Sequence, residues 1–118
     1  MLRLISITIA AVLTMATVAI AQTDGLTGSW HGTLSNANGS LRLIFQIEQT
    51  TEAYSASIVS VDQGAAVIPV DISVSGDSVV FTNAQYDINY QAEVSGSEMT
   101  GTFTQFGNEF PDFKIVQE

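Results

Sequence analysis

The sequence predicts an all-β fold: a single small antiparallel barrel of about eight strands, joined in order as a meander. Three observations carry that expectation. Apolar and polar residues alternate with the period of a half-buried strand in one short run after another. Clusters of Gly, Asn and Ser separate the runs at near-even spacing, and nothing after residue 21 shows a helical period. The links are too short for parallel crossovers, and closing a meander into a barrel removes its exposed edges.

The chain opens with a segment set apart from this pattern. Met1-Leu2-Arg3 is a short positive start, residues 4–20 are apolar or carry small hydroxyls, and Ala19-Ile20-Ala21 fits the small-x-small cleavage rule. A spanning helix needs about 20 strongly apolar residues; this run is shorter and rich in Ala and Thr. The expectation is a signal peptide over 1–21 and a barrel domain over 22–118. The product would be exported, periplasmic or extracellular, with no stable membrane anchor after cleavage. There is no cysteine, so neither a disulfide framework nor a lipid-attachment thiol is available.

The first strand is expected over 26–34. Leu26, Gly28, Trp30, Gly32 and Leu34 share one face, with Thr27, Ser29, His31 and Thr33 on the other. Trp30, the only tryptophan, is placed at the centre of the core. Asn38-Gly39 suits a hairpin turn. Leu41, Leu43, Phe45 and Ile47 then alternate with Arg42, Ile44, Gln46 and Glu48, which predicts a buried Phe45 and exposed Arg42 and Glu48. Tyr54, Ala56 and Ile58 mark a third strand. Residues 62–69 break the alternation, and Pro69 cannot donate to a ladder, so this segment reads as a connection crossing one end of the barrel. Strands follow over 70–74 and 79–82, then through Ile88, Tyr90, Ala92 and Val94, through Met99, Gly101 and Phe103, and over 110–116 with Phe113 and Ile115 inward.

The charge is one-sided. Of 3 basic residues, Arg3 falls in the leader, leaving Arg42 and Lys114 against all 12 acids. Nucleic acid and anionic membrane surfaces are poor partners for such a surface. The acids are scattered, as expected where charge serves solubility.

Two segments, with a third in support, resemble a known family. Ser60-Val61-Asp62-Gln63-Gly64-Ala65 followed by Ile68-Pro69-Val70-Asp71 is similar to part of the small exported β-barrel domain that precedes the catalytic domain in many bacterial secreted α/β-hydrolases. Gly28-x-Trp30-x-Gly32-Thr33-Leu34 resembles that domain's opening strand, and 101–107 its penultimate strand and turn. The resemblance spans nearly all of 22–118 and implies a lipocalin-like barrel. In the family another aromatic often stands at 103 and a glycine at 106. The departure that matters most is that the relatives continue into a catalytic domain, whereas this sequence stops at Glu118, so their chemistry is not expected here.

Catalytic signatures do not emerge. There is no Gly-x-Ser-x-Gly elbow and no Cys nucleophile; His31, the only histidine, sits mid-strand opposite the Trp30 face. No metal-ligand spacing repeats. The expectation is a non-catalytic module without a cofactor. It would bind a small apolar ligand or dock an exported protein partner such as a hydrolase, or act in trans as a detached hydrolase domain. The candidate lid or docking loop is Asp62, Gln63, Gly64, Ala65, Ile68 and Pro69. The candidate cavity lining is Trp30, Tyr86, Tyr90, Phe103 and Phe106. An interior filled by Trp30, Phe45, Ile58, Phe81 and Phe103 would leave only surface docking.

Overall fold

The computed structural model describes residues 24–36, 39–51 and 53–118. The leader expected over 1–21 and Asn38 of the first turn lie outside the described residues. Eight strands follow one another: β1 (Gly28–Asn36), β2 (Gly39–Gln49), β3 (Tyr54–Ser60), β4 (Ala66–Ser75), β5 (Ser78–Asn83), β6 (Ile88–Ser95), β7 (Glu98–Gln105) and β8 (Asn108–Gln117). Each pairs antiparallel with the next, and β8 returns to β1, so the sheet closes into a barrel in sequence order. This is the predicted fold.

The alternation sets the inward face. Leu43, Phe45 and Ile47 of β2 are buried, while Arg42, Gln46 and Glu48 are exposed, as their spacing predicts. Trp30 lies across from Phe45 in the β1–β2 register and is fully buried. Phe45, Phe81, Tyr90, Phe103 and Phe113 meet ring to ring: Phe45 and Phe81 edge to face at 5.0 Å, Tyr90 and Phe113 tilted at 5.3 Å. Such pairs add about 0.5–1.5 kcal/mol each beyond the area they bury.

Tyr90 brings a polar atom into this core. Its hydroxyl donates to the Phe113 carbonyl at 2.7 Å, with the Met99 carbonyl oxygen 3.3 Å away. Burial pushes the phenol above its ordinary value. The folded chain therefore holds this proton where the unfolded chain releases it. The resulting stability is present below pH of about 10 and is lost as pH rises beyond it. Titration followed by tyrosinate absorbance and circular dichroism should show Tyr90 ionising only together with alkaline unfolding. Tyr90→Phe should cost about 1–3 kcal/mol, because a buried carbonyl loses its donor. An unchanged thermal midpoint would contradict the bond.

Three segments differ from expectation. The first strand begins at Gly28, not at 26; Leu26 belongs to a short 3-10 turn, Asp24–Leu26. The Trp30 indole Nε1 donates to the Leu26 carbonyl at 2.9 Å, and Gln117 Nε2 donates to the carbonyls of Gly25 (2.9 Å) and Thr27 (3.0 Å). These bonds fold the entering chain over one end of the barrel. The connection placed over 62–69 is shorter than predicted. A 3-10 turn (Val61–Gln63) and Gly64-Ala65 suffice, and β4 starts at Ala66. Pro69 is tolerated inside β4 because residues 66–70 pair only with β3, and β5 joins at Asp71. Asn83 Nδ2 donates to the Pro69 carbonyl at 2.7 Å across that gap.

The third difference is a bulge in β8. Gly101 faces Phe113 while Phe103 faces Phe110, so β8 spends an extra residue there, and Asp112 takes a left-handed φ of 60°. The bulge resets the period. Phe110 and Phe113, three apart, both turn to the interior, where each packs on Phe103.

Candidate functional site

The two ends of the barrel are unlike. One is covered by the Asp24–Leu26 turn. The other carries the turns β1–β2, β3–β4, β5–β6 and β7–β8, as the meander dictates. Three of the exposed large apolar residues lie toward this second end: Val67 (64% exposed), Tyr86 (40%) and Phe106 (63%). Phe106 and Gly107, with φ of 49° and 83°, form a two-residue hairpin turn of the kind with positive φ at both central positions. Phe106 is thus held outward at the rim.

Beside it the wall of the barrel is incomplete. Strand β1 pairs with β8 at Trp30↔Gln117 and His31↔Val116, and no later pair forms among the described residues. Two features mark this stretch. At Gly32 the strands nearly touch: a Cβ there would lie 2.6 Å from the Lys114 carbonyl oxygen. Beyond it β8 bulges, and Pro111 and Asp112 have no register partner in β7 among the described residues. A cleft of about 420 Å³ opens, with Thr33, Leu34 and Ser35 on one side and Glu109, Phe110 and Asp112 on the other. A second cleft of about 340 Å³, reaching Leu41, Gln105 and Phe106, shares Leu34, Asn36 and Phe110 with the first. Together they make one groove from the seam to the rim.

The groove has an apolar floor and acidic margins. Leu34 is buried, and Leu41 and Phe110 are half-buried. Glu109 and Asp112 are exposed, and among the described residues neither forms an ion pair. Of the two described cations, Arg42 pairs with Asp62 at 2.7 Å, and Lys114, which also lines the first cleft, pairs with Glu98 at 3.8 Å.

The residues singled out as a lid or docking loop divide by role. Asp62 is a clasp: its carboxylate accepts from the Arg42 backbone N–H at 2.8 Å and from the guanidinium Nε and Nη2. These bonds hold the Asp62 carboxyl below the usual carboxylate range. The clasp is therefore complete at neutral pH and released only as pH falls through that lowered value. Gln63 accepts from the buried Ser60 hydroxyl at 2.7 Å. Gly64 and Ala65 make the left-handed turn, Ile68 packs against the core, and Pro69 lies in the ladder. Asp62→Ala should leave the thermal midpoint almost unmoved, since exposed ion pairs contribute little. It should speed amide exchange across Val61–Gln63; unchanged exchange would contradict the clasp.

The candidate cavity lining is not brought together. Trp30, Tyr90 and Phe103 are sealed in the core, at 2% exposure or less. Tyr86 stands in the β5–β6 turn, its N–H donating to Asn83 Oδ1 at 2.9 Å. Only Phe106 borders a described cleft, and that cleft lies at the rim. Phe45, Ile58 and Phe81 are equally sealed. These side chains occupy the interior of the barrel.

His31 faces outward, its Nε2 4.0 Å from Glu118 Oε1. Among the described residues no cluster of three His, Asp or Glu side chains forms a metal-ligand set, and no helix is long and apolar enough to cross a membrane. The groove was missed in the sequence, although Pro111 inside an otherwise regular strand signals a bulge or an edge. What the fold and its groove define is a filled eight-stranded barrel with an open seam. Comparison with known proteins extends this no further: no family model, curated protein or solved structure matches the chain.

Proposed function

We propose that this chain is an exported, non-catalytic barrel module that docks a protein partner through its outer surface. One observation carries the reading: the interior is filled by sealed aromatic and aliphatic side chains, while large apolar residues stand exposed toward the turn-bearing end. Large apolar residues exposed toward one end are the kind of surface that contacts partners. The outward face of the strands is largely polar and the inward face apolar, the reverse of a lipid-facing barrel. Export rests on the leader pattern of residues 1–21. The resemblance of 28–34, 60–71 and 101–107 to the barrel of secreted α/β-hydrolases favours such a hydrolase as the partner, met in trans.

The test is purification of the full chain from the exported fraction of its own cells, followed by mass spectrometry of what accompanies it. The expected result is a protein partner and no stoichiometric lipid-like molecule. A bound lipid-like molecule with no protein would overturn docking. So would esterase turnover that disappears in His31→Ala, which would make the chain an enzyme.

A further inference from the structure

The open seam has the features of a strand acceptor. Over Thr33–Ser35, β1 is bonded to β2 on one side and has no register partner in β8 on the other, among the described residues. Antiparallel pairs alternate between those that exchange backbone bonds and those that turn their N–H and C=O groups away. Gln105↔Asn108 closes the two-residue β7–β8 hairpin, so the next pair, Thr104↔Glu109, turns the Glu109 backbone toward β1. By the same alternation, Asn36↔Gly39 closes the first hairpin and Ser35 turns its backbone toward β8. Peptide groups thus point into the cleft from both walls. An added strand satisfies such groups, and side-chain pockets select what is added.

We propose that the β1–β8 seam binds an extended, basic segment of a partner protein by strand addition along Thr33–Ser35. The inference rests on the docking reading above and names its site and the chemistry of its partner. Alternate side chains of the segment would lie over Leu34, Leu41 and Phe110, the apolar floor of the groove. Those between them reach its margin, where Glu109 and Asp112 form no ion pair among the described residues. Lysine or arginine at these positions supplies the missing charge. A second copy of this chain does not fit, because its net charge of −9 sets like against like at the same acids.

The probe is a six-residue peptide alternating valine and lysine, titrated into the ¹⁵N-labelled full chain. Two comparison peptides carry glutamate in place of lysine, or N-methyl groups on the backbone. Amide shifts confined to 33–35 and 108–113 are expected, with affinity falling as salt is raised. The N-methylated and glutamate peptides should bind about tenfold more weakly or not at all, as should the wild-type probe to a Glu109→Gln/Asp112→Asn variant. The inference is overturned by no shift at millimolar peptide, by shifts elsewhere on the barrel, or by equal binding of the glutamate peptide. Purifying the double variant from the exported fraction separates the two readings. A partner held equally by wild type and variant overturns the seam and leaves docking standing; a chain recovered from both with no partner overturns docking, and the seam with it.

Discussion

Trp30→Ala should leave this domain marginal or unfolded. The indole is fully buried, faces Phe45, and donates to the Leu26 carbonyl that folds the entering chain over the barrel end. Truncating a buried large aromatic costs about 3–5 kcal/mol, against total stabilities of roughly 5–15 kcal/mol. Here no disulfide offsets the loss. A fall in thermal midpoint of about 15 °C or more follows for a domain of this size. Trp30→Phe separates the two contributions, because it keeps a ring in the core but removes the donor, and it should fall between wild type and alanine. Circular dichroism reads both. An alanine variant with an unchanged midpoint would place Trp30 outside the core.

Gly101→Ala should be nearly as damaging, through crowding instead of a void. A Cβ at 101 would lie 1.8 Å from the Gln91 carbonyl oxygen and 2.6 Å from the Ala92 Cα. Both obstacles are backbone of β6, so no side chain can rotate away. Either β6 and β7 part, or the β7–β8 bulge that begins at Gly101 moves. Overpacking costs about 1–3 kcal/mol where neighbours yield, and a backbone obstacle puts this site at or above the top of that range. Gly25→Ala is the control, since nothing lies within 4 Å of the added methyl. Equal midpoints for the two variants would contradict the close approach of β6 and β7.

Much of the fold was legible because one face of each strand is buried, and burial writes a period of two into the sequence. Strand β2 shows it most clearly, with Ile44 the one apolar residue out of phase and half-buried on the outer side. Strands β6 and β7 follow the same rule through Tyr90, Ala92, Met99 and Phe103. The rule fails in β8, where Phe110 and Phe113 point the same way only because Asp112 adopts a left-handed backbone. Pro69 misled for a related reason. A proline excludes a central ladder position, but β4 meets β3 and β5 in succession, so at 69 it has only one neighbour.

The candidate site was less legible, because it depends on how the first and last strands meet. Local alternation says nothing about register between strands so far apart in the chain, and the seam parts within a strand that reads as regular. Hydrophobicity alone does not separate the rim aromatics Tyr86 and Phe106, which are exposed, from the core ones. Their neighbours, Asp87 and Gly107, are turn residues, and turn chemistry holds both rings at the surface.

The most direct test of the open seam is native-state amide hydrogen exchange along β1 and β8 of the free chain. Protection reports paired backbone. The predicted result is slow exchange at His31, where β1 and β8 are paired, with fast exchange at Ser35 and Glu109, whose N–H groups face the cleft. Ser35 and Glu109 amides as slow as His31 would mean that the barrel wall is continuous, and would contradict the site proposed for it.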